Sequence, residues 1–317
     1  MKKKPCIILT GPTAVGKTEL SIALAQAVQG EIISADSMQV YKYMNIGSAK
    51  IKKDEMQGIP HFLIDEILPD EEFNVVKFQS YAKAYMSQIY ERGHLPVLVG
   101  GTGFYIQSVL YDIDFTNNEE NTAIRNRWKQ YLDTNGSGAL HERLAFLDPI
   151  SAKTIHPNNT KRVIRALEFY ELTGKRISEH NQEQRHKHSP YNFMYFVLND
   201  VRELLYERIN IRVEQMIKNG LVEEVRRLKQ RGYSKDLVSM QGLGYKEILD
   251  YLDGFITMDE AVYKIKRDTR HFAKRQITWF KRETDVCWIN KQDFNYDESK
   301  ILQFMISKIK DCGMISP

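Results

Sequence analysis

The stretch CIILTGPTAVGKTELSIALAQAV, residues 6–28, decides the fold. An apolar, β-branched run over residues 6–9 leads into Gly11, Pro12, Thr13, Ala14, Val15, Gly16, Lys17 and Thr18, and a helical pattern follows with Leu20, Leu24, Ala27 and Val28 on one side. Strand, glycine loop and helix in that order make a phosphate cradle. The glycines let successive backbone N–H groups converge on an anion, the helix N-terminus adds partial positive charge, and Lys17 adds a full one. The Thr18 hydroxyl is then placed to hold a Mg²⁺ that bridges phosphate oxygens.

Outward from this loop, residues 31–35 (EIISA) read as a second strand that delivers Asp36 at its carboxyl end. Parallel strands present their carboxyl ends on one edge, so Asp36 is expected to face the loop. Residues 62–66 (FLIDE) resemble the strand with Asp and Glu that positions metal and water in ATP-driven motors, yet Pro60 and Pro69 and an apolar run of only three residues predict a loop or short edge segment. Phe78, Tyr81, Ala82, Tyr85 and Ile89 form the core stripe of a helix that Gly93 ends. Residues 95–99 (LPVLV) then read as a buried parallel strand leading to Gly100, Gly101, Thr102 and Gly103. A motor would carry a metal-binding Asp there. Glycines and one neutral hydroxyl argue instead for a tight channel wall beside the phosphates.

From 114 to 189 the pattern is helix after helix, over 122–133, 139–146 and 159–172, the last ended by Gly174. The expected fold class is therefore α/β, a P-loop-containing parallel-sheet core of nucleoside-triphosphate-hydrolase-like type (1–113 and 190–317), interrupted by an all-helical insertion domain (114–189). Residues 156–165 open a helix with a basic first two turns; cations at that end oppose the helix dipole, so either an anion offsets them or they form a solvated face. The tract 182–189, with His186, Lys187 and His188, is expected to be a surface loop without a metal site.

Residues 193–198 return to strand character, and the next helix, 201–219, carries Arg208 and Arg212 on one face. That pair either grips a diphosphate from the side opposite the loop or lies free on the surface. Residues 241–246 (QGLGYK) form a glycine-flexed turn whose Tyr245 and Lys246 are expected to be exposed for stacking and phosphate contact. The helix near 258–283 carries eight Lys/Arg and one acid between Lys264 and Arg282. Arg267, Arg270, Lys274 and Lys281 fall within about 60° of one another, opposite Val262, Ile265, Phe272 and Phe280. Such a stripe favours a polyanionic partner. The tail from 286 adds a short strand and a helix of open function.

Length and composition agree with this picture. The 317 residues are 42% hydrophobic and 27% charged, enough for one large or two modest domains, and the net charge of +4 alone does not implicate nucleic acid. No run approaches a membrane span, and the basic start runs directly into a strand, so a soluble, cytoplasmic protein without a signal peptide or membrane partner is expected. Cys6, Cys287 and Cys312 are scattered, which suggests neither zinc nor a disulfide framework.

GPTAVGKT (11–18), DSMQVY (36–41), GGTGFY (100–105), HPNNTKRVIRALE (156–168), GLGYKE (242–247) and AKRQITWF (273–280) together resemble the bacterial tRNA dimethylallyltransferases, in order and up to about residue 290. The resemblance implies transfer of a dimethylallyl group from dimethylallyl diphosphate to N6 of the adenosine immediately 3′ of the anticodon; the expected partner is the tRNA anticodon stem-loop and the expected state a monomer. It implies that Asp36 is the base, that Thr102 lines the reaction channel and that Arg212 helps to bind diphosphate. It also implies tRNA contacts from Asp36, Ser37, Met38, Gln39, Thr102, Thr160, Lys161, Arg162, Val163, Ile164, Gln241, Gly242, Leu243, Gly244, Tyr245, Lys246, Lys274, Arg275, Gln276 and Lys281. A zinc-finger extension like that of eukaryotic relatives is not expected. The rival readings are a P-loop nucleotide kinase that binds ATP and uses the insertion as a lid, and a non-catalytic nucleotide switch in which Asp65 and Glu66 would matter.

Overall fold

The computed structural model describes residues 3–115, 122–185 and 187–315; His186 and the first two residues of the basic start lie outside them. In chain order the larger unit begins β1 (Lys4–Thr10), α1 (Lys17–Ala27), β2 (Gly30–Ser34), β3 (His61–Phe62), α2 (Val75–Glu91), β4 (Leu95–Gly100) and α3 (Gly103–Leu110). A helical segment follows: α4 (Thr122–Leu147), α5 (Pro149–Thr154), α6 (Thr160–Thr173) and α7 (Ile177–Arg185). The chain then completes the sheet with β5 (Tyr191–Asn199), α8 (Arg202–Lys218), α9 (Leu221–Gln230), α10 (Tyr245–Leu252), α11 (Met258–Phe280), β6 (Val286–Asn290) and α12 (Glu298–Asp311). Two compact units result, Met1–Val109 with Tyr191–Pro317, and Leu110–Pro190.

All six strands of the larger unit pair in parallel, in the order β3-β2-β4-β1-β5-β6. Ile7, Ile8 and Leu9 at the sheet centre are fully buried, as a strand covered by helices on both faces requires. Burying each such side chain stabilises the fold by about 1.5–3 kcal/mol. Leu20 and Leu24 of α1 join this core with Val28 just beyond it, but Ala27 faces solvent and Ala25 takes its place. On α2, Phe78, Ala82 and Ile89 are buried, whereas Tyr81 is exposed and Met86 fills the stripe.

The two-residue β3 is the edge that residues 62–66 were expected to form. Its neighbours hold no catalytic carboxylate in reserve. Asp65 takes the ammonium of the buried Lys50 at 2.5 Å, and Glu66 accepts from the Leu63 amide and the Tyr85 hydroxyl. Both acids are spent on loop geometry, in which Leu63 and Asp65 adopt left-handed backbone.

The smaller unit packs α4 against α6 through Leu140, Leu144, Val163 and Leu167. Gly136 breaks α4 with φ 79° and ψ 170°, which separates the two helices expected on either side of it. Helices α5 and α7 were not expected; α7 makes residues 182–185 helical where a loop was anticipated. Asp148 joins the two, accepting from the amides and hydroxyls of both Ser151 and Ser178 at 2.7–3.0 Å. Burial pushes its carboxyl up, but the hydrogen bonds outweigh this and hold it below the usual range.

Candidate active site

The loop leaves β1 through Gly11, whose φ of 149° and close approach to β5 exclude a side chain: a Cβ there would stand 2.5 Å from the Leu198 carbonyl oxygen. Gly16 caps α1 in left-handed conformation, φ 91°. Ala14 shares that hand, with φ 63°, and such alternation turns consecutive amides toward one anion. Lys17 folds back to donate to the carbonyls of Gly11 (3.0 Å) and Pro12 (2.8 Å). Desolvation, aided by the neighbouring charge of Arg212, lowers its pKa to about 8, with Asp36 opposing the fall.

Asp36 follows β2 and is half-buried. Its Oδ1 accepts from the Met38 amide at 2.8 Å, which fixes the carboxylate on the turn. The same charge acts on both Lys17 and Arg212, so acid, loop lysine and arginine share one electrostatic neighbourhood. Desolvation lowers Arg212, again with Asp36 opposing. Arg208 does not accompany it: its guanidinium pairs with buried Asp200 at 2.5 Å. Of the two arginines four residues apart, only Arg212 faces the loop region.

Gly100 and Gly101 allow a contact that no side chain permits. A Cβ on Gly100 would stand 2.2 Å from the Ala35 carbonyl oxygen, and the Thr102 amide donates to that oxygen at 3.2 Å. The end of β4 is thus clamped to the residue before Asp36, with Thr102 alongside. Helix α11 closes this wall. Gln276 is buried, accepts from the Thr13 amide at 2.9 Å and donates to the Gly101 carbonyl at 3.0 Å. It therefore bridges the phosphate loop and the glycine wall. Gly103 leaves room for the Trp279 ring, which a Cβ would meet at 2.2 Å.

The resemblance implies that Gln276 contacts tRNA; in the structure its side chain turns inward, on the helix face that also buries Ala273 and Phe280. Tyr245 was expected to be exposed and is wholly buried. Its hydroxyl donates to Glu224 at 2.9 Å and accepts from the Ser48 amide at 3.2 Å. Glu224 also accepts from the amides of Asn45, Ile46 and Gly47, so tyrosine and glutamate together set the course of the chain after Tyr41. Val163 and Ile164 likewise belong to the core of the smaller unit, since the inward face of α6 is apolar.

Other expected contacts remain available. Ser37, Met38 and Gln39 are half-buried, and Met38 packs on Gly242, which brings segments 36–39 and 241–242 together. Gln241 is exposed, Leu243 and Lys246 are half-buried, and Gly244 is buried at the start of α10. In the smaller unit Thr160 is half-buried, while Lys161 and Arg162 are exposed in a first turn that contains no acid. Lys274 and Arg275 on α11, and Lys281 at its C-cap, are exposed. Arg267 and Arg270 turn to Asp268 and Asn210, so the free part of the stripe is its carboxyl half.

Thr18 exposes its residue at the first turn of α1. One hydroxyl beside a phosphate cradle suits Mg²⁺, which keeps most of its waters and takes few protein oxygens. Among the described residues no cluster of three or more His, Cys, Asp or Glu offers a different metal site. None of their helices is long and apolar enough to cross a membrane. All three cysteines are free.

The titration of Lys17 makes a prediction. Its folded pKa of about 8 lies below its unfolded value, so the unfolded chain binds more protons between them and stability rises with pH through that window. A diphosphate bound in the loop would reverse the depression. Calorimetric titration with diphosphate at about pH 8.5, in two buffers of different ionisation enthalpy, should therefore show proton uptake that Lys17→Met abolishes. Uptake that persists in the variant would assign the proton to another group.

A glycine-looped anion cradle at the carboxyl edge of a parallel sheet, facing a carboxylate and walled by a basic helix, defines a P-loop protein built for group transfer from a phosphorylated donor. A family model described as IPP transferase matches residues 39–283. The chain belongs to this family, that of the tRNA dimethylallyltransferases. The tRNA dimethylallyltransferase of Lachnoclostridium phytofermentans is 58% identical over 302 residues, 95% of this chain and 96% of the relative. That of Clostridioides difficile is 51% identical over 313 residues, 98% and 100% of the two chains. Among solved structures, the tRNA isopentenylpyrophosphate transferase of Bacillus halodurans matches with a TM-score of 0.73 at 43% identity, covering 98% of each chain. A eukaryotic dimethylallyltransferase acting on tRNA matches with a TM-score of 0.84 at 29% identity, over 98% of this chain and 80% of the other.

Proposed function

We propose that this enzyme transfers the dimethylallyl group of dimethylallyl diphosphate to N6 of the adenosine immediately 3′ of the anticodon, acting as a cytoplasmic monomer. The observation that carries this reading is the shared neighbourhood of Asp36, Lys17 and Arg212. One carboxylate and two desolvated cations suit a reaction that removes a proton and expels a diphosphate polyanion. The N6–C1 bond forms as the C1–O bond to diphosphate breaks, and the N6 proton passes to Asp36.

Adenosine N6 is a weak nucleophile, because its lone pair is delocalised into the ring, so a carboxylate within hydrogen-bond reach has a defined task. Charge accumulating on the departing diphosphate meets the loop amides, Lys17 and Arg212, where fixed electrostatics contribute most. Thr18 would hold Mg²⁺, which when bound neutralises part of that charge. Thr102, tied to Ala35, lines the path between adenine and diphosphate.

To reach Asp36 the adenine leaves its stack, at a cost of a few kcal/mol. Phosphate contacts from Lys274 and Arg275 on α11, from Lys281 at its C-cap, and from Lys161 and Arg162 of the helical unit, would offset it. That unit, residues 114–189 in the sequence reading, is the proposed insertion domain that grips tRNA. The kinase reading lacks an acid after β4. In the switch reading Asp65 and Glu66 would have to be free, but both are engaged.

Incubation with dimethylallyl diphosphate and unmodified tRNA should yield one dimethylallyl group per reactive adenosine, read by mass after digestion, with equimolar diphosphate release. Phosphate transfer from ATP without allyl transfer would refute the assignment.

A further inference from the structure

The turn after β6, Lys291–Phe294, returns the chain to the phosphate loop. The Lys291 side chain is only 9% exposed, and its Nζ lies 3.1 Å from where a Cβ would stand on Gly16, the residue that caps α1. Its anionic partner is Glu298, at 3.2 Å in the first turn of α12, and that carboxylate is 42% exposed. Taking an ammonium out of water is expensive, and one half-exposed carboxylate uses only part of a three-donor group. The ion pair is not needed to seat α12, which is anchored by the fully buried Ile301, Met305 and Ile309. The residue also lies beyond the segment that the family model matches, 39–283.

We propose that Lys291 is a further donor-binding residue. When diphosphate enters the loop, the ammonium leaves Glu298 for a non-bridging oxygen beside the Gly16 amide, and Glu298 turns to water. Before diphosphate binds, a third cation, after Lys17 and Arg212, thus rests on a carboxylate weak enough to give it up. Glutamate and diphosphate compete for one ammonium, so removing the glutamate favours the ligand. This assignment rests on the reading that the loop takes diphosphate.

The test is calorimetric titration of the full chain with inorganic diphosphate, using wild type, Lys17→Met, Lys291→Met and Glu298→Gln. Lys291→Met should bind about tenfold or more weakly, the size expected when a charge-assisted hydrogen bond is lost. Glu298→Gln should bind as tightly as wild type or more so. In steady-state assays Lys291→Met should raise KM for the allylic donor and leave KM for tRNA unchanged. Unchanged diphosphate affinity in Lys291→Met, with both variants merely unfolding at lower denaturant, would overturn the proposal. If Lys291→Met does not fold, Glu298→Gln decides, because weakened binding there contradicts the competition. Absence of binding by wild type, or equal binding by Lys17→Met, would instead refute the diphosphate reading itself.

Discussion

Asp36→Ala is expected to slow single-turnover transfer by about 10²- to 10⁴-fold, the range for loss of a positioned general base, with tRNA affinity unchanged. Alanine also removes the acceptor of the Met38 amide, so a second substitution separates base from scaffold. In Asp36→Asn the amide oxygen can still accept from Met38, yet the group cannot take a proton at neutral pH. Both variants should lose turnover to a similar extent. Because the charge of Asp36 supports protonated Lys17, its removal lowers the lysine further. Diphosphate affinity is therefore best compared at about pH 7, where Lys17 stays charged in wild type. Full single-turnover activity in Asp36→Asn would exclude the carboxylate as base, and a large loss of tRNA affinity would make it a binding group.

Gly100→Ala is expected to destabilise the larger unit by about 3 kcal/mol and to abolish measurable turnover. The reason is the 2.2 Å separation between the new Cβ and the Ala35 carbonyl oxygen. That neighbour is backbone, so it cannot swing aside; β2 and β4 must part, and Asp36 moves with the end of β2. Gly138 in α4 is the matched control, because nothing stands within 4 Å of a Cβ there. Gly138→Ala should be neutral or stabilising by about 0.5–1 kcal/mol. Denaturant midpoints and kcat measure both. A Gly100→Ala enzyme of normal stability and rate would mean that the clamp between these strand ends does not position the acid.

The parallel sheet was legible because its strands are short apolar runs that each end at a ligand edge in glycine or a single polar residue. The loop, Asp36 and the glycine wall could all be placed by that rule. What resisted reading were side chains whose chemistry points one way and whose packing points another. Tyr245 sits beside glycines and Lys246, a context that suggests exposure, yet its hydroxyl is held by a glutamate 21 positions earlier in the chain. Gln276 lies among basic residues, and only its position opposite Lys274 on the helical wheel hinted that it turns inward. Arg208 shares a face with Arg212, but Asp200, just before the helix, claims it. Helices α5 and α7 are short and polar, and Asp148 joins them through serines rather than through an apolar stripe that periodicity could reveal.

Helix α11 has two faces with different duties: Lys274 and Arg275 look outward, and Gln276, the next residue, holds the Thr13 amide and the Gly101 carbonyl. A rigid rod cannot shift at one and stay still at the other. Under the proposed function, a tRNA resting on the outward residues would press on the same rod that holds the phosphate loop. Occupancy of the large substrate and readiness of the small one would then be two readings of a single lever.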